Sequence, residues 1–304
     1  MSEFQLFETS HPQKSARARY EGLVGLDAQQ QLLLDELTLL LDEKRLEKWL
    51  KRHHPRGLPL ASALVGASSL ILLSGEVGCG KTALATSIGT PLAAALDRKV
   101  VVLETPSNIR GSGLVGEISA RVTEAFEQAR ARARQVGCGL LIIDEADDLV
   151  TARDQMQAHH EDRAGVNVLI KQLDRIAVEN IPLTVLMITN RAHALDPAVI
   201  RRASLHLQFD RPNQAQRRAV MERLLLGVDY TGDELNSLVK ATKERRGVGF
   251  SFSDLTVRLA RHALRGAWSG NHAFGAAALL AAIAAIEPSP LVGSTVVAEG
   301  SGDG

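Results

Sequence analysis

The chain has 304 residues, 45% of them hydrophobic, enough to fill one large core and a smaller second one. Lys plus Arg and Asp plus Glu each total 35, so no global charge excess holds it to a membrane or a nucleic acid, and aromatics at 4% argue against a base-stacking platform. Cys79 and Cys138 are too few for a disulfide framework, and no apolar run approaches the roughly 18 residues needed to span a bilayer, so a reducing, cytoplasmic setting is expected.

In chain order, residues 1–20 mix Ser, Gln, Lys and Arg without apolar periodicity and are expected to form a loosely ordered tail. Between 26 and 50 the leucines recur at helical spacing, with Asp27 as N-cap, and Pro55, Gly57 and Pro59 end this single leading helix. Short β-prone runs at 70–73, 100–103, 140–143, 183–188 and 205–209 then alternate with helical stretches. That alternation predicts an α/β fold with a parallel five-stranded sheet and flanking helices over 21–212. Beyond Pro212 the stretches 214–225, 233–242, 253–268 and 272–286 are all helical in period, which predicts a small all-helical domain over 213–287. The Gly-, Ser- and Pro-rich residues 288–304 read as a disordered tail.

The segment Gly75-Glu76-Val77-Gly78-Cys79-Gly80-Lys81-Thr82 fits G-x-x-x-x-G-K-[ST], follows an expected strand and opens an expected helix, as a phosphate-binding loop must. Glycines let backbone N–H groups converge on phosphates, Lys81 neutralises the β- and γ-phosphates, and the Thr82 hydroxyl ligates Mg²⁺. ATP contacts are therefore expected from Gly75, Val77, Gly78, Cys79, Gly80, Lys81, Thr82 and Ala83. The apolar run 140–143 ends in Asp144-Glu145, placing two carboxylates at the sheet edge where ligands bind in open α/β folds. Asp144 is expected to hold the magnesium through water, and Glu145 to act as general base on the attacking water. The acidic residues that follow, Asp147 and Asp148, read as surface charge. Asn190 ends the fourth run and is expected to orient the water from the other side. The helical stretch 117–134 carries Arg121, Arg130, Arg132 and Arg134, read as a solvated or intersubunit face.

Taken together, Asp144-Glu145, Asn190 and the run Leu195-Asp196-Pro197-Ala198-Val199-Ile200-Arg201-Arg202 resemble the AAA+ ATPases over about residues 20–286. The resemblance implies a homohexameric ring in which Arg201 or Arg202 reaches the nucleotide of the neighbouring subunit, and it makes Val24-Gly25 an adenine-pocket motif. It also implies a pore loop gripping a client at Leu114 and Val115. Narrower matches at Thr151-Ala152-Arg153, Leu173-Asp174 and Arg202-Ala203-Ser204 look like the pachytene-checkpoint remodellers. That likeness implies a HORMA-domain protein as client, threaded through the pore, and a link to anti-phage defence. The sequence departs from the pattern where a sensor 2 arginine would fall on Ser253, with Arg258 about one turn later as a possible substitute. A clamp-loader or helicase-loader switch acting on nucleic-acid machinery is the competing reading.

Overall fold

Runs such as Gly139-Leu-Leu-Ile-Ile143 cannot be left half in water, and a sheet covered on both faces is what buries them. In a computed structural model of the chain, which describes residues 4–59, 61, 69–106, 116–148 and 160–291, these runs form a six-stranded sheet. The strands are β1 (Phe7–His11), β2 (Leu70–Gly75), β3 (Val100–Glu104), β4 (Gly139–Ile143), β5 (Leu183–Thr189) and β6 (Ala203–Phe209), in the order β1-β3-β4-β5-β2-β6. The pairs β3/β4, β4/β5 and β5/β2 are parallel, and every residue of β4 and β5 is buried.

On one face, Leu72, Leu103, Leu141 and Val185 join a core with Ile118, Val122 and Phe126 of α6 (Glu117–Val136) and Leu169 and Leu173 of α7 (His160–Val178). The other face is covered by α2 (Asp27–Leu41), α4 (Lys81–Ser87) and α5 (Gly89–Leu96), which bury Leu33, Leu37, Leu84 and Leu92 completely. Truncating one such leucine to alanine costs about 2–5 kcal/mol, a large share of the roughly 5–15 kcal/mol that holds a domain folded.

Several expectations do not hold. The sheet has six strands, because the stretch expected as a loose tail supplies β1, antiparallel to β3 with Phe7 opposite Glu104 and His11 opposite Val100, followed by α1 (Lys14–Glu21). Strand β1 is held mainly through its backbone, and of its five side chains only His11 is buried, so no apolar alternation announces it. The leading helix is two helices, α2 and α3 (Glu43–His53), because the Asp42 side chain accepts the Arg45 N–H at 3.1 Å and caps a new start; Asp27 lies in the first turn of α2, one residue past its N-cap Leu26. The solvated face expected on α6 is only partial: Arg130 is 4% exposed and bonded to Gln172, whereas Arg134 is exposed and pairs with Glu179 at 2.5 Å, Arg132 pairs with Glu8, and Arg121 with Glu117 at 2.6 Å.

His11 is 2% exposed; its Nδ1 lies 2.8 Å from the Thr90 hydroxyl, and a Cβ on Gly89 would sit 2.7 Å from its ring. Burial holds the His11 pKa below its ordinary value. Below the unfolded value near 6.5 the unfolded chain binds a proton that the folded chain resists, so this contribution to stability is complete above that pH and is lost as pH falls toward the depressed value. Melting curves between pH 7.5 and 5.5 are expected to show a larger fall in Tm for the native chain than for His11→Gln.

The chain folds as two compact units, Met1–Gly75 with Lys81–Gln208, and Glu76–Gly80 with Phe209–Gly304. The second unit holds α9 (Gln214–Leu224) and α10 (Gly232–Ala241), each opened by a full capping box, at Asn213/Gln216 and Thr231/Glu234. A π-helical turn at Asp254–Leu259 leads into α11 (Ala260–Ser269), and α12 (Ala276–Ala285) follows. The loose tail expected from 288 is tied down at its start, since Ser289 donates through both N–H and Oγ to the buried Asp254. No helix among the described residues is long and apolar enough to cross a membrane.

Candidate functional site

Strands β4, β5 and β2 are consecutive neighbours, with Ile143 opposite Met187 and Ser74 opposite Thr189. At about 4.8 Å per strand step, the residues following them, Asp144, Asn190 and Gly75, share one C-terminal edge. β3 lies beyond β4 and β5 from β2, so the chain leaves β2 at a topological switch point, where such sheets bind ligands.

Gly75, Gly78 and Gly80 have φ of 130°, 73° and 96°, conformations that L side chains adopt only with strain. At Gly78 a Cβ would also lie 3.0 Å from Ser251 Oγ and Ser253 Cβ. Gly78→Ala is therefore expected to lower nucleotide affinity at least about tenfold in an equilibrium titration, by displacing the loop. Val77 is exposed at 52%, Cys79 is fully buried, and Ala83 is half-buried in α4. Lys81 is 5% exposed and its Nζ donates to Gly75 O at 2.7 Å.

The Thr82 hydroxyl donates to Asp144 Oδ2 at 2.7 Å, bringing together the two expected metal ligands. Two hard oxygens suit magnesium, which keeps most of its waters. Glu145 is exposed, its N–H donates to Asp144 Oδ1 at 2.8 Å, and its φ is +53°. A left-handed glutamate costs about 1–2 kcal/mol, strain that collects at functional sites.

Asn190 is half-buried directly after β5. The residue before it, Thr189, is fully buried; its hydroxyl donates to Asp147 Oδ1 at 2.8 Å and accepts the Arg191 N–H at 2.9 Å. Asp147 is thus a brace for the loop that carries Asn190, not the surface charge expected. Glu104, at the end of β3, is a third carboxylate of this edge, and nothing in its sequence context marks it out. Burial pushes its pKa above the usual range, Arg19 pulls it down and Asp144 pushes it up.

Val24 and Gly25 are half-buried in the turn after α1, a helix that packs on α4 and whose Arg19 donates to Thr86 Oγ1 at 3.3 Å. The two arginines after α8 (Pro197–Ile200) differ. Arg202 is held in its own chain by a forked pair with Asp174, at 3.0 and 3.3 Å, and by Ala198 O. Arg201 is exposed, with one bond from its Nε to Pro197 O at 3.2 Å. Arg258 is occupied by Asp254 and Ser289, while Ser253 touches the loop through its backbone, donating to Gly78 O at 2.9 Å. Leu114 and Val115 lie outside the described residues.

Set beside known proteins, residues 71–211 match the family described as ATPase family associated with various cellular activities (AAA). CD-NTase-associated protein 6 of Escherichia coli strain MS 115-1 is 39% identical over 267 residues, covering 84% of this chain and 86% of that protein. The chain belongs to the AAA ATPases. The protein of the same name from E. coli strain KTE188 is 31% identical over 297 residues, covering 96% of the ATPase and 99% of that protein. Among solved structures, the ATPase is similar to a chain of the E. coli MS115-1 HORMA:CdnC:Trip13 complex, with a TM-score of 0.88 and 36% identity over 94% of this chain and 97% of that one. Trip13 from Rhizobiales gives a TM-score of 0.75 at 34% identity, over 95% of the ATPase and the whole of that chain. ATP hydrolysis is accordingly its activity, and its place in the family is close to Trip13 and CD-NTase-associated protein 6.

Proposed function

We propose that the ATPase works as a ring subunit that uses ATP to remodel a HORMA-domain protein, drawing the client through a central pore. The observation that carries the choice of client is the likeness, over 94% of this chain, to a chain of a complex that contains a HORMA protein. In this reading the glycines of 75–80 present backbone N–H groups to the phosphates, and Lys81 neutralises their charge. Thr82 and Asp144 would hold magnesium, which when bound offsets charge on the β- and γ-phosphate oxygens. Glu145 accepts a proton from the attacking water, and Asn190 orients that water. Arg201, exposed where Arg202 is already paired, serves as the residue that reaches the neighbour's nucleotide. Val24 and Gly25 border the adenine, and Leu114 and Val115 grip the client chain.

Affinity capture on Glu145→Gln in the presence of ATP tests the client. Recovery of a HORMA-domain protein, released when ADP replaces ATP, is expected. Recovery of only nucleic-acid-processing proteins, together with DNA-stimulated turnover that falls steeply with salt, would instead support a loader of nucleic-acid machinery.

A further inference from the structure

We propose that Arg211 is a positioning residue for the phosphate loop, tying its second residue, Glu76, to the C-terminal segment at Ser289 and Pro290. Four donor bonds of the guanidinium are placed. Nη1 donates to Gly249 O and to Ser289 O at 2.7 Å, and Nη2 to Glu76 Oε2 at 3.2 Å and Pro290 O at 2.9 Å. The side chain is only 11% exposed and that of Glu76 27%, so the pair is largely out of water and its geometry is fixed. Glu76 is also held by its backbone, its N–H donating to Phe209 O at 3.0 Å.

A second charged centre joins the same segment to the same loop. Asp254, 1% exposed, accepts the Ser251 N–H at 2.9 Å, the Ser289 N–H at 3.1 Å, the Ser289 hydroxyl at 2.6 Å and Arg258. Burial alone would raise its pKa, but the bonds from Ser289, Ser251 and Arg258 outweigh it and hold the group at about 2, so it stays ionised at any working pH. Ser251 and Ser253 are the residues against which Gly78 is closed. Arg211 thus binds Ser289–Pro290 and loop position 76 directly, and Asp254 holds Ser289 together with Ser251, the residue that borders loop position 78. A loop fixed before its ligand arrives binds more tightly because less ordering remains to be done. Arg211 therefore sets affinity for nucleotide and leaves the chemical step alone.

The inference rests on reading 75–82 as the ATP phosphate loop, and the test separates the two. Glu76→Gln, Arg211→Lys and the double variant are measured for KM and kcat with ATP, for binding of a fluorescent ADP, and for Tm; Lys81→Ala is the control. Lysine keeps the charge of Arg211 but not its fork. The expected result is a KM raised about tenfold in each single variant, no further rise in the double, kcat within about twofold of native, and a Tm shift of a few degrees at most. Native KM in both single variants, with binding lost in Lys81→Ala, would overturn the role of Arg211. Losses of kcat and KM that merely track Tm would overturn it as well. Unchanged nucleotide affinity in Lys81→Ala would overturn the loop reading and this inference with it.

Discussion

Glu145→Gln is expected to lower kcat by about 10²–10⁴-fold while ATP still binds, because glutamine keeps the size of the side chain but cannot accept a proton. Strain adds a second readout. Glu145 holds φ at +53°, in a region where a glutamate costs about 1–2 kcal/mol and glycine, free of that strain, gives back only part of the gain through the backbone entropy it loses on folding. Glu145→Gly should therefore raise Tm even as it abolishes turnover, the pattern of a residue kept for chemistry at the expense of stability. Glu145→Gln, which keeps the strain, should melt close to the native protein. Phosphate release and thermal melts on the two variants check both statements. A native kcat in Glu145→Gln would remove the residue from the reaction.

Arg201→Ala is expected to lower turnover by about 10³-fold with nucleotide affinity and Tm near native, since arginines supplied to a transferring phosphoryl group act on the transition state. Arg202→Ala should behave differently. Its guanidinium is already occupied by Asp174, so the variant loses a forked ion pair between the turn after α8 and helix α7, and it should lose stability in proportion. With Arg202 34% exposed and Asp174 53%, that loss stays within about 1 kcal/mol. Comparing the pair by kcat and by Tm separates a residue used between subunits from one used within the chain. Equal losses of kcat in both variants would contradict the assignment.

Much of this site was legible in the sequence because its chemistry is written in short runs. A strand that is buried on both faces must be an unbroken apolar run, so 140–143 and 183–188 could be placed, and the polar residues that end them had to fall at one edge of a parallel sheet. What could not be read is whatever depends on backbone or on partners distant in sequence. Strand β1 pairs with β3 through main-chain groups and carries almost no apolar signal of its own. The break at Asp42 hinges on one side chain choosing to cap. Asp147 looks like any surface acid until the fold sets it against the hydroxyl of Thr189, 42 residues away. The same holds for Arg211, whose partners lie at 76, 249, 289 and 290. The ambiguity between Arg201 and Arg202 is of this kind too, since adjacent arginines are alike in sequence and only Asp174 tells them apart.

The most direct test of the proposed shared site is phosphate release by an equimolar mixture of Glu145→Gln and Arg201→Ala subunits. Each variant alone should be nearly inactive. In a mixed ring, every Arg201→Ala subunit that meets the intact Arg201 of a Glu145→Gln neighbour regains a complete site, and random assembly places about a quarter of the junctions in that arrangement. The account predicts a mixture that turns over ATP at about a quarter of the native rate, far above either parent. A mixture no more active than the mean of the two variants would contradict it.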